Sequence, residues 1–164
     1  MEQVIKLFYM IRNIDQSGIS GTGKVVEGAI LPSGRVLSNW LTPSSSTNIY
    51  DSIDHFKKAH IDPHPGCNEL VVVEDESNKE DYYLPIYARR FCLVREANPE
   101  FKSLTLGRII NGVVFKNGIV FSEFIKPLDS ITFYPSIDVF KDIHVNKNPD
   151  TNSFYYLDFP QRRL

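Results

Sequence analysis

Cysteine is scarce in this chain: Cys67 and Cys92 are its only two. Two thiols cannot form the cross-linked framework that braces small secreted domains. Charge of one sign is also missing, since 18 basic residues stand against 20 acidic ones for a net charge of −2. That balance gives no whole-protein footprint for nucleic acid and leaves only the local pairs Arg89-Arg90 and Arg162-Arg163. No apolar run approaches the ~18 residues of a membrane span. The opening stretch MEQVIKLFYMIRNID carries an acid at Glu2 and no cleavage site, so no signal peptide is expected. The chain reads as a cytoplasmic protein with reduced thiols and no membrane partner. Catalytic signatures are missing too: there is no G-x-S-x-G elbow, no H-E-x-x-H and no cysteine-nucleophile motif.

What the chain does have is 42% apolar residues and abundant Phe and Tyr, enough for a buried, sheet-dominated core. It also contains one unit twice. Residues 25–60 align without a gap on residues 109–144, with 13 identities in 36 positions. Ordinary composition would give about two. Gly28 matches Gly112, Gly34 matches Gly118, Ser38 matches Ser122, Tyr50 matches Tyr134 and His60 matches His144. The first repeat spans 1–74, the acidic stretch 75–81 is the joint, and the second repeat spans 82–164.

Each repeat predicts four strands, a helix and a closing strand. Ser52 and Ser136 stand at N-cap positions, and Asp54 and Asp138 fall in the first helical turn. Ser33-Gly34 and Asn117-Gly118 predict two-residue hairpin turns. Such a turn pairs Ala29 with Ser38 and Ile30 with Leu37. Both faces of each hairpin are mainly apolar, which asks for two covers per sheet. The expected fold is α+β: two tandem β-β-β-β-α-β repeats packed about a pseudo-twofold axis, with helix and sister repeat as the covers.

The segment SGISGTGK, Ser17–Lys24, spells G-x-x-x-x-G-K, the start of a phosphate-binding P-loop. Such a loop must open a helix. Here VVEGAILPSG follows, a strand running into a turn, and Val25 stands where a magnesium-binding Ser or Thr belongs. An NTPase is excluded. The remaining readings are a connector that needs positive φ, or an anion nest. In the nest, amides near Gly18, Gly21 and Gly23 converge on a phosphate or carboxylate, with Arg12 and Lys24 supplying charge. The second repeat has EFKSLTLGR here, so only the first repeat would carry a site. HIDPHPGC holds His60, Asp62, His64 and Cys67, but its prolines and glycine give no fixed metal geometry, and no metal or other cofactor is expected. His60 and His144 end their helices, where a histidine suits the last carbonyls.

The pattern Arg12, Asp15, Ser17, Gly18, Ser20, Gly21, Thr22, Gly23, then a valine-rich strand, a Gly turn and Trp40, resembles a family of small bacterial and phage-borne proteins with R-x-x-D-x-S-G-x-S-G-T-G. The resemblance covers most of the first repeat. It implies a compact accessory protein and brings no catalytic residues. The expected function is non-catalytic recognition of an anionic, nucleotide-like small molecule by Arg12, Asp15, Ser17, Gly18, Ser20, Gly21, Thr22, Gly23, Lys24 and His60. The alternatives are a protein–protein inhibitor or adaptor, and a small hydrolase centred on Asp15 and His60.

Overall fold

The computed structural model describes residues 4–43, 45–73, 87–96, 107–125 and 130–157. The expected joint 75–81, most of the second-repeat loop segment (100–106) and Arg162-Arg163 lie outside the described residues. The chain divides into two compact units, Met1–Ala88 and Arg89–Leu164.

The first unit runs β1 (Lys6–Arg12), β2 (Gly23–Ile30), β3 (Val36–Trp40), β4 (Thr47–Tyr50), α1 (Ile53–His60) and β5 (Asn68–Val73). The second repeats the order as β6 (Arg89–Arg95), β7 (Gly107–Val114), β8 (Val120–Phe124), β9 (Ile131–Tyr134), α2 (Ile137–His144) and β10 (Asn152–Tyr156). Each unit forms one antiparallel five-stranded sheet, ordered β4-β3-β2-β1-β5 and β9-β8-β7-β6-β10. The β-β-β-β-α-β reading of each repeat therefore holds.

The helices start where the sequence places them. The Ser52 hydroxyl accepts the His55 amide at 3.1 Å, and the Ser136 hydroxyl accepts the Val139 amide at 3.2 Å. Each cap satisfies an amide that the first helical turn leaves unpaired. Phe56 and Phe140 are the fully buried residues of the two helices. Phe8 meets Phe56 edge-on at 5.2 Å, and Tyr50 meets Phe56 at 5.2 Å. The second unit repeats this packing with Phe91, Tyr134 and Phe140.

The hairpin turn differs from the expected one. The Leu31 amide bonds the Arg35 carbonyl and the Gly34 amide bonds the Leu31 carbonyl, both at 2.8 Å. Three residues, Pro32, Ser33 and Gly34, therefore separate the last paired positions, and Gly34 has φ 88°. This is a type I turn closed by a glycine bulge, and Pro32 suits its first corner. The extra residue shifts the register by one. Gly28 pairs with Ser38, Ala29 with Leu37 and Ile30 with Val36. Phe115, Gly118 and Ile119 make the same turn in the second unit.

The shift regroups the faces, because side chains alternate along a strand. Phe8, Met10, Val26, Val36 and Phe56 form the helix-side core of the first unit, with Ile30, Trp40 and Tyr50 packed against it. On the other face Leu7, Tyr9, Ala29 and Leu37 are buried as well, alongside Glu27 and Asn39.

Gly28 and Gly112 set how closely the opening strand's aromatic ring approaches the sheet. A Cβ on Gly28 would stand 2.1 Å from Phe8 Cζ and 2.7 Å from the Leu37 carbonyl oxygen. A Cβ on Gly112 would stand 2.0 Å from Phe91 Cζ. Gly28→Ala and Gly112→Ala should each destabilise by about 1–3 kcal/mol or more, the range of overpacked cores. Urea denaturation measures this. Pairing Gly28→Ala with Phe8→Leu should recover part of the loss, and an unchanged midpoint in the single variants would refute the steric account.

Candidate functional site

The loop Asn13–Thr22 joins β1 to β2 and folds around one carboxylate. Asp15 accepts the Ser17 hydroxyl at 2.8 Å and the Ser17 and Gly18 amides at 3.1 Å each on Oδ1. The Gly21 amide bonds its Oδ2 at 2.8 Å. Gly18 and Gly21 have φ of 65° and 70°, which turns their amides inward at no steric cost. The Ser17 hydroxyl, followed by the Gly21, Ser17 and Gly18 amides, holds the Asp15 carboxyl below its ordinary range. Of the glycine amides expected to converge, those of Gly18 and Gly21 do so, joined by that of Ser17, and the anion they meet is the chain's own Asp15.

The loop is fastened to the body at the residues before β5. The Asn13 and Ile14 amides reach the Cys67 carbonyl at 2.7 and 3.3 Å. Gln16 Oε1 and His64 Nδ1 lie 3.0 Å apart in a hydrogen bond. Between loop and body is a small open recess lined by Arg12, Ile14, Asp15, Gln16, Ser17, His64, Cys67 and Asn68.

Arg12 is aimed from behind. Its Nε donates to Asn68 Oδ1 at 3.1 Å, and Asn68 Nδ2 donates to the His60 carbonyl at 2.6 Å. Its guanidinium carbon lies 5.7 Å from the Trp40 ring centre, and Nη1 is 3.8 Å from Asp15. That separation is an ion pair without a hydrogen bond, so the Nη edge keeps donors for another acceptor.

His60 lies behind this cluster. It shares a 2.8 Å hydrogen bond with the Tyr50 hydroxyl and meets the Trp40 ring at 5.3 Å. The second unit has the same frame. Arg95 donates to Asn152 at 3.3 Å, Asn152 to the His144 carbonyl at 2.7 Å, and Tyr134 bonds His144 at 2.7 Å. A frame present in both units without a shared loop is first a way of holding the helix end to the sheet.

The expected site residues therefore separate. Arg12, Asp15 and Ser17 meet in the recess, and Gly18 and Gly21 serve Asp15. Ser20, Thr22 and Gly23 follow along the return to β2. Lys24 is elsewhere: Arg12 pairs with Gly23 and Ile11 with Lys24, so Lys24 points to the opposite face. There its ammonium lies 2.5 Å from Glu27 and 4.7 Å from the Tyr87 ring centre. Gln16 and Asn68 join the recess without having been expected. Asn68 follows no motif, whereas D-x-S-G before a glycine loop does signal an aspartate that accepts its neighbours' amides. Among the described residues no three His, Cys, Asp or Glu side chains are grouped to hold a metal. No helix among them is long and apolar enough to cross a membrane.

A family model described as Acb5 phage protein matches residues 5–74 and 88–154. The chain belongs to the Acb5 phage protein family. The two matched segments cover both helices and both sheets except the last two residues of β10. No curated protein and no solved structure matches the chain.

Burial lowers the pKa of His60, with Arg12 and His64 adding repulsion, and burial together with Arg95 lowers that of His144. A histidine depressed in the folded state binds its proton more readily when unfolded. Its stability contribution is present above the unfolded value near 6.5 and is lost as pH falls below it. Melting temperature should therefore drop between pH 7 and pH 5, and the double variant His60→Gln, His144→Gln should flatten that slope. Parallel profiles for the two proteins would remove the histidines from the account. In a separate measurement, Asp15→Ala should speed hydrogen exchange at the Gly18 and Gly21 amides while leaving the core strands protected; unchanged exchange would show that Asp15 does not hold the loop.

Proposed function

We propose that this phage protein is a non-catalytic binding protein that takes an anionic, nucleotide-like small molecule in the recess beside Arg12. The observation that carries the reading is the Nη edge of Arg12, held by Asn68 in a recess whose other polar walls are Asp15, Gln16, Ser17 and His64. A guanidinium edge recognises phosphate in two-point fashion. Asp15, Gln16 and Ser17 offer acceptors and donors for the hydroxyl and amino groups of a nucleotide. The loop amides are engaged by Asp15, so the ligand's anionic group meets the Arg12 side chain and not the nest. Lys24, committed to Glu27, has no part in it. His60 contributes from behind, through Trp40 and the helix end.

Isothermal titration with a panel of linear and cyclic nucleotides tests this. Arg12→Gln should weaken binding by about tenfold or more, the loss of one charge-assisted contact. Arg95→Gln removes the matching fold contact in the second unit and should leave binding intact, which separates recognition from stability. Native mass spectrometry of protein from infected cells provides the ligand if the panel misses it. A chain that carries only a protein partner, or variants that bind alike, would overturn the reading in favour of an inhibitor or adaptor.

A further inference from the structure

The closing strands of the two units present different edges. β5 reads NELVVV and carries the acid Glu69, whereas β10 reads NSFYY and carries no charge. β10 is an edge of its sheet. Edges are commonly guarded by a charge, because open backbone invites another strand.

Ladder alternation fixes which groups are open. The Leu157 amide bonds the Arg90 carbonyl and the Glu96 amide bonds the Thr151 carbonyl. Ser153 and Tyr155, at the alternate positions between, therefore face β6, and Phe154 and Tyr156 turn their N–H and C=O groups outward. The same two residues carry cations on their rings. Lys141 Nζ lies 4.6 Å from the Phe154 ring centre, and the Arg89 guanidinium carbon lies 3.8 Å from that of Tyr156. Among the described residues neither cation has a carboxylate within ion-pair distance. Asp142, next to Lys141 in sequence, accepts the Asn146 side-chain amide instead. A cation stacked on a ring keeps its charge and its N–H donors. In the first unit Leu70 and Val72 stand where these rings are.

A strand added to this edge pairs with Phe154 and Tyr156. Directly opposed side chains share a face, with Cβ atoms about 4.5–5.5 Å apart. The two partner residues opposite Phe154 and Tyr156 then stand beside Lys141 and Arg89, where acids fit. The residue between them falls on the other face against Tyr155, which is 51% exposed, and an apolar side chain fits there. A second copy of the chain is the wrong partner: β10 laid on β10 would put Lys141 and Arg89 of both copies in one row, like charge against like. We propose that β10 is a docking edge for an extended acidic peptide of a partner protein, taken up as a sixth strand with acids at alternate positions. This edge lies in the other unit from the Arg12 recess and does not depend on it.

NMR titration of the full chain tests the proposal with a blocked peptide in which glutamate alternates with valine. Saturable shifts at the Phe154 and Tyr156 amides are expected. The same peptide with lysine for glutamate should not bind, nor should the glutamate peptide once N-methylated on the amides that face the edge. Lys141→Gln should weaken binding about threefold or more, the weight of one exposed ion pair. Arg89→Glu combined with Lys141→Glu should reverse the preference toward the lysine peptide. No shift at millimolar peptide, equal binding of the two peptides, undiminished binding after N-methylation, or displacement of the peptide by an equimolar single-stranded oligonucleotide would each overturn it. So would self-association of the free chain through β10.

Discussion

The contact of an aromatic ring with a bare strand backbone fixes each unit. Phe8 lies where a Gly28 side chain would be, and Phe91 lies likewise over Gly112. The ring fills the gap a glycine leaves and covers backbone that would otherwise weaken the sheet. Because each ring sits deep, the helix can approach: Phe56 closes on Phe8 edge-first and Phe140 meets Phe91 at a tilt. Helix position then sets where His60 and His144 fall, and the asparagines at the start of the closing strands catch those helix ends. The orientation of Arg12 is the last link in this series.

Duplication shows which parts of the series belong to the frame. Arginine, asparagine, histidine and tyrosine recur in both units with near-equal distances. The loop around Asp15 is drawn from the first unit, as is the indole of Trp40 where the second has Phe124. A frame that stands without the loop leaves the loop free to carry another task, which is how binding residues gather on rigid scaffolds.

Strand and helix positions were legible because two diverged copies average out local noise. The serine caps and the glycine turns were readable for the same reason. Hairpin register was not. Ser-Gly and Asn-Gly fit both a two-residue turn and a type I turn with a bulge, and one residue of difference reverses every face. Glu27 and Asn39, a buried polar pair across β2 and β3, were not singled out in the sequence. The glycine spacing revealed that amides would converge, but not on what, since the anion could be foreign or internal. Lys24 follows a glycine in the manner of a phosphate-binding lysine, and only the pairing of Ile11 with Lys24 shows that it faces away. Asn68 needed the fold itself, because nothing local marks a side chain that joins a helix end to a strand 56 residues away.

A loop that carries its own counter-anion is already in its final shape before any encounter. The entropy of ordering it is spent during folding and not at a later contact. An empty amide nest would attract every inorganic phosphate and sulfate in the cell. With Asp15 seated in it, the Ser17, Gly18 and Gly21 amides are already engaged by an anion of the chain's own.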